Sequence, residues 1–162
     1  MNIKQFNTNN IENIKKLSPN IYNKSLEVSI PFFVLHKTLF EKGEKIISKD
    51  FNLTQSELDI LSALYYIGGE NFTLTPTKLN EVMLFSSGGI TKLLNKLEEK
   101  KYIKRIISNE DKRSKFVQIT QLGKEIMKEA LKTITSFENK YFSKLNNKEL
   151  EEFKTLLYKI LD

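Results

Sequence analysis

Ser86-Ser87-Gly88-Gly89-Ile90-Thr91-Lys92-Leu93-Leu94-Asn95-Lys96-Leu97-Glu98 is the stretch whose reading decides the fold. Ile90, Leu93, Leu94 and Leu97 fall at i, i+3, i+4 and i+7, one apolar stripe at helical period. The opposite face carries Ser87, Gly88, Thr91, Lys92 and Asn95. Small hydroxyl, amide and ammonium groups, with glycines that let the backbone come close, suit a helix that enters the major groove, where base edges offer acceptors and donors.

Outward from that helix, Tyr102-Ile103-Lys104-Arg105-Ile106-Ile107 is rich in β-formers, Ser108 to Ser114 is a polar turn, and Lys115-Phe116-Val117-Gln118-Ile119 alternates again, which predicts a hairpin. The chain has only two arginines among its 26 basic residues, and both, Arg105 and Arg113, fall here. Guanidinium groups are favoured in a narrow, strongly negative minor groove, so a lysine-rich chain has placed its arginines where a wing would use them.

These pieces resemble the winged helix-turn-helix of the MarR family of bacterial transcriptional regulators. Four runs carry the resemblance: Ser86-Ser87-Gly88-Gly89-Ile90-Thr91 opening the reading helix, Leu97-Glu98-Glu99-Lys100-Lys101-Tyr102-Ile103-Lys104-Arg105 leaving it, the wing signature Asp111-Lys112-Arg113, and Ile119-Thr120-Gln121-Leu122-Gly123 entering the next helix. Upstream, Phe51 to Leu61 is similar to the start of the family's second core helix, so the resemblance covers about Ser25 to the C-terminus. It implies a mainly α fold with a small β-hairpin wing, and a homodimer on double-stranded DNA that acts as a ligand-relieved repressor. The candidate DNA contacts are Ser86, Ser87, Gly88, Thr91, Lys92, Asn95 and Lys96 from the helix, and Arg105, Asp111, Lys112, Arg113 and Lys115 from the wing. In this reading Asp111 orients a basic side chain while Arg113 enters the minor groove. The competing reading is a winged-helix module used for protein contacts, which salt dependence separates from phosphate neutralisation.

Charge distribution points the same way. The net charge is +6, and between Thr75 and Thr120 ten basic residues face five acidic ones, so +5 of it sits on the candidate reading head. That is the electrostatic footprint of a polyanion binder. With 162 residues and 40% hydrophobic content the chain has material for one compact domain with a core. No apolar run of about 18 residues is present and Met1 to Phe6 lacks the apolar core of a secretory signal, so a cytoplasmic protein with no membrane partner is expected. Zero cysteines exclude disulfides, thiolate metal sites and thiol redox sensing. No Ser-His-Asp set, metal spacing or phosphate loop appears, and His36 is the single histidine, on an apolar helix; neither enzymatic activity nor a cofactor is expected.

Taken in order, residues 1–50 read as two helices, 54–119 as the winged helix-turn-helix and 120–162 as two more helices. Ile11, Ile14 and Leu17 predict a helix over Thr8–Leu17. The next helix starts either near Ser29, with Pro31 in its first turn, or near Ser25, with Pro31 inside it. Thr54 and Glu57 predict a capping box for Gln55–Ile67, Phe72-Thr73-Leu74 a short strand, and Thr75-Pro76 the start of a helix to Met83. The helix-turn-helix turn is then Leu84-Phe85-Ser86. Thr120 caps a long helix that Asn146-Asn147 breaks, and Leu145, Leu150, Phe153, Leu157 and Ile160 form apolar surface in excess of what a small winged domain needs. That surplus predicts a second copy packed about a two-fold axis, and the resemblance implies dimerisation through the N- and C-terminal helices.

Members of the family it resembles commonly hold small aromatic or phenolic anions between the dimer helices and the winged lobe. The resemblance thus implies a small aromatic or anionic effector, with Phe32, Phe33, His36, Phe40, Asp59, Tyr65 and Tyr66 as candidate lining. Of the three residue types by which the urate-responsive branch holds its ligand, only the acidic one has a counterpart, Asp59; the chain has no Trp, and Leu93 stands where that branch has Arg.

Overall fold

The computed structural model describes residues 3–83, 89–107 and 115–161, with side chains for 5–83, 89–106 and 116–161. The chain gathers into two compact units, Met1–Gly43 and Glu44–Asp162.

In the first unit α1 spans Ile3–Leu17, beginning earlier than the apolar spacing predicts. The inward stripe continues through Asn7, only 8% exposed and one turn before buried Ile11, so a polar residue on the buried face hid the true start. The long helix α2 spans Leu26–Phe51 with Pro31 inside it, the second of the two starts the sequence leaves open. Proline has no N–H to donate, so the Glu27 carbonyl one turn back receives no helical bond from position 31. Glu27 is used another way. Its Oε1 accepts from the Tyr22 hydroxyl at 2.6 Å and lies 3.3 Å from Lys15 Nζ, which is also 2.9 Å from Glu12. These hydrogen bonds hold the Lys15 ammonium well above its ordinary range and the Glu27 carboxyl below its own.

The second unit holds the reading head. Thr54 and Glu57 close the expected capping box on α3 (Gln55–Tyr66): the Thr54 hydroxyl accepts from the Glu57 N–H at 3.2 Å, and the Glu57 carboxylate accepts from the Thr54 N–H at 2.8 Å. Leu58, Ile60, Leu61 and Leu64 of α3 are buried in the core. After β1 (Thr73–Leu74), α4 (Pro76–Val82) starts with Thr75 as N-cap and proline in its first turn, as its sequence predicts. Then come α5 (Ile90–Glu99), β2 (Ile103–Ile107), β3 (Lys115–Ile119) and α6 (Gln121–Phe142), capped by Thr120.

The wing is more than a hairpin. β2 and β3 pair antiparallel from Ile103↔Ile119 to Ile107↔Lys115, and β1 adds to the other side of β3 through Thr73↔Gln118 and Leu74↔Val117, giving the order β1-β3-β2. Ile103, Val117 and Ile119 bury one face of this sheet in the same core as Leu79, Leu94, Leu97, Met127 and Ala130. Gly123 lets α6 start hard against the chain that leaves α5, because a Cβ at that position would stand 2.1 Å from the Tyr102 carbonyl oxygen. The last helix, α7, spans Asn147–Leu161. Asn146 does not break the preceding helix, which has already ended at Phe142; it caps α7, with reciprocal bonds to Glu149 at 2.8 and 3.0 Å. An asparagine just before a helix satisfies orphan N–H groups, so the same residue that looks like a breaker by composition is here the start signal of the next helix.

Candidate nucleic-acid interface

The apolar stripe Ile90, Leu93, Leu94 and Leu97 is the buried face of α5. Leu94 is 2% and Leu97 0% exposed, with Ile90 and Leu93 half-buried beside them. Thr91, Lys92, Asn95 and Lys96 are all exposed on the remaining surface. Gly89, immediately before the helix, has φ of +100°, a conformation that a side chain would strain. Ser86, Ser87 and Gly88, and the turn placed at Leu84-Phe85-Ser86, lie outside the described residues, as do Asp111, Lys112, Arg113 and the side chain of Lys115.

Two long-range braces fix α5, and neither is legible as a motif. At its C-terminal end Lys100 Nζ lies 3.0 Å from Glu57 Oε2 and 2.7 Å from the Asn52 carbonyl oxygen, joining the end of the reading helix to the start of α3. On the wing side Arg105 of β2 reaches back to the helix: Nη1 donates to Glu98 Oε2 at 2.6 Å and Nη2 to Asn95 Oδ1 at 2.5 Å. The Arg105 and Glu98 side chains remain 39% and 37% exposed, so the pair sits at the water boundary of the basic surface and screening limits what it adds to stability. The chain leaves α5 through a Schellman turn, in which Tyr102 N–H bonds to the Leu97 carbonyl and Lys101 N–H to that of Glu98, both at 2.9 Å. Thr120 clamps this exit: its hydroxyl donates to the Lys101 carbonyl at 2.7 Å and accepts from the Gly123 N–H at 3.0 Å. Exposed Lys92, Lys96, Lys101 and Lys104 then share one continuous part of the chain with the braced helix.

The MarR family model matches residues 51–114, the segment that contains α3, α4, α5 and β2. The helix-turn-helix transcriptional regulator SarZ of Staphylococcus aureus is 32% identical over 102 residues, which cover 63% of this chain and 66% of SarZ. The chain belongs to the MarR family. MarR-family membership makes it a DNA-binding transcriptional regulator and not an enzyme. Its fold is shared by AbsC, a MarR-family regulator from Streptomyces coelicolor (TM-score 0.72, 18% identity, 86% of this chain and 94% of AbsC). It is shared equally by the MepR–DNA complex of Staphylococcus aureus (TM-score 0.68, 24% identity, 82% of this chain and 95% of MepR).

In this MarR-family chain the residues suggested as effector lining fall into both units. In the first, Phe32 and Phe33 meet edge to face at 5.9 Å and His36 stacks on Phe40 at 6.0 Å, with the three phenylalanines 44%, 65% and 44% exposed. In the second, Tyr65 stacks on Phe72 at 5.3 Å and meets Tyr66 edge to face at 5.0 Å. Lys124 and Lys128, one turn apart on α6, place their ammonium groups 3.3 Å from the Phe72 ring centre and 4.9 Å from that of Tyr65. Sequence reasoning passed over both lysines, since nothing local ties them to aromatics far upstream in the chain. Asp59 accepts from the Gln55 side-chain amide at 2.9 Å through Oδ1, while its Oδ2 is buried with no hydrogen-bond partner among the described residues. Burial raises its pKa, the Gln55 bond opposes that, and the Glu44 charge adds to the rise.

The C-terminal helix has no buried residue at all. Leu150 is 38% and Ile160 75% exposed, Leu145, Phe153 and Leu157 are half-buried, and Leu156, Tyr158 and Leu161 add further exposed apolar surface. No helix among the described residues is long and apolar enough to cross a membrane.

Proposed function

We propose that this chain works as a homodimer on a pseudo-palindromic operator, laying α5 in the major groove and the 108–114 wing tip in the adjacent minor groove, and that it represses transcription until a small aromatic or anionic effector releases it. The observation that carries the reading is α5 itself. Its apolar stripe is consumed by the core, and the outer surface of its first two turns carries the polar and cationic groups of Thr91, Lys92, Asn95 and Lys96, ahead of Glu98 and Glu99 at its end. A helix used for protein contacts would keep apolar anchors on that outer face. Homodimerisation is supported by the apolar surface of α7, where Leu156, Tyr158, Ile160 and Leu161 stand exposed among the described residues. Effector binding is supported by the exposed aromatics of the first unit and by the unpartnered Asp59 oxygen.

The test is recovery of genomic fragments bound by the full-length protein in the parent cell. A two-fold motif with half-site centres about 10 bp apart is expected, because protein symmetry must be mirrored in the site. Its affinity should fall with salt, with a log-log slope of about −0.9 for each phosphate neutralised. Fragments without a common motif, bound with a flat salt response, would overturn the reading. Raised expression of the neighbouring genes after deletion of the regulator is expected of a repressor, and lowered expression would mark an activator instead.

A further inference from the structure

Resting on the DNA-reading role just proposed, we propose that Arg105 is a specificity-setting residue that works through Asn95, fixing which end of its amide meets a base. A free asparagine at a groove surface can turn its amide over and offer either an oxygen or an NH2 group. Arg105 removes that freedom. A guanidinium has five N–H donors and no acceptor, so the Asn95 atom 2.5 Å from Nη2 has to be the oxygen. The Nδ2 donors are then the end left for a base edge. Glu98 holds the guanidinium in place through Nη1 at 2.6 Å, and it lies three residues beyond Asn95 on the same helix. Two acceptors on α5 and two nitrogens on β2 thus make a forked contact, the geometry for which arginine is suited and lysine is not.

The same contact argues against Arg105 as a plain phosphate clamp, since a carboxylate at 2.6 Å already offsets its charge. In the major groove the Asn95 NH2 group finds acceptors on guanine, adenine and thymine, whereas cytosine presents a donor. The structure therefore assigns to Asn95 a position in each half-site where cytosine on the contacted strand is rejected, and to Arg105 the upkeep of that rejection.

The experiment measures base preference across the operator for full-length wild type, Arg105→Met, Arg105→Lys, Asn95→Ala and Arg105→Met/Asn95→Ala, with circular dichroism melts to verify the fold. Arg105→Met should lower discrimination against cytosine about tenfold at one position of each half-site and leave the others unchanged. Arg105→Lys, with its charge kept and its fork lost, should recover little of that discrimination. In the Asn95→Ala background Arg105→Met should change nothing further at that position. Should Arg105→Met unfold the protein, Glu98→Gln weakens the same anchor and should relax the same position to a smaller degree. Uniform weakening on all sequences with full recovery in Arg105→Lys would overturn the inference and make Arg105 a phosphate contact. Loss of preference confined to flanks outside the half-site would overturn it in favour of minor-groove insertion. A wild type without any base preference would overturn the DNA-reading proposal itself, and this inference with it; an intact preference that survives in Arg105→Met overturns the inference alone.

Discussion

Lys100, the residue that ends the reading helix, has its ammonium 3.0 Å from Glu57, a carboxylate 1% exposed at the opening of α3. Glu57 is thereby shared between a local task, capping α3 through Thr54, and a long-range one, anchoring α5. Removing one partner of a buried pair leaves the other charge uncompensated. Lys100→Met should cost about 3 kcal/mol in urea denaturation, and the loss should be partly restored by adding Glu57→Gln, which removes the stranded charge. A loss below about 1 kcal/mol would mean that water already solvates the carboxylate and that the brace is a surface pair.

One residue further on, Lys101 has φ of +61° at the C′ position of the Schellman turn, where glycine is the usual residue. An L side chain in this region costs on the order of 1 kcal/mol, which the extra freedom of an unfolded glycine only partly offsets. Lys101→Gly is expected to raise the midpoint of thermal unfolding, while the removed charge lowers operator affinity slightly at low salt. A lower midpoint would show that the Lys101 side chain contributes packing that outweighs the backbone strain.

How much of this was legible in the sequence follows the range of the interactions. Thr54, Thr75 and Thr120 announce their helices because a cap is a bond over three residues, and the α5 stripe because periodicity is local. The Glu57–Lys100 and Arg105–Asn95 contacts join residues that the fold alone brings together, and a lysine among 26 basic residues has no local mark to single it out. The addition of β1 to the wing sheet rests on two residue pairs, too short a run for alternation to register. Asn7 misled for the opposite reason, since its polarity contradicts its burial.

The unburied apolar surface of α7 predicts that assembly depends on it. A chain ending before Asn146 should lose the dimer and give a monomer or an aggregate, read by light scattering over a range of concentrations. Operator binding by two such half-sites should also lose its cooperativity, because the two-fold linkage is gone. A soluble truncated monomer that still bound the operator with wild-type affinity would remove the C-terminal helix from the interface.

Arg113 falls in sequence between β2 and β3, and the role expected of it differs from that of Arg105. Insertion into the minor groove reads width and potential, so its loss should weaken binding most where A·T-rich flanks narrow the groove. The comparison is wild type, Arg113→Lys and Arg113→Ala on two operators that differ only in flank composition, at one salt concentration. Insertion predicts that lysine behaves nearly like alanine on the A·T-rich flank, because the planar, weakly hydrated guanidinium is lost in both. Lysine equal to wild type on both operators would leave the wing as a clamp without a reading role.

The Asp59 oxygen that is buried without a partner among the described residues gives the fold a pH dependence. Burial, with the Glu44 charge behind it, raises the folded-state pKa despite the bond from Gln55. Between the ordinary carboxylate range and that raised value the native state holds a proton that the unfolded chain has lost, so stability falls as pH rises through the folded pKa. Any stabilisation from the protonated form is complete only below about pH 4. The charged form of Asp59 is therefore the one the fold disfavours. Asp59→Asn keeps an oxygen to accept from Gln55 and offers donors toward the Glu44 carboxylate. It should be the more stable protein at about pH 7, with the difference closing as the pH is lowered to about 4. Urea denaturation of both proteins at these two pH values decides the matter. A difference independent of pH, or a less stable Asn variant at neutral pH, would show that Asp59 is ionised at no cost, its buried oxygen solvated in solution.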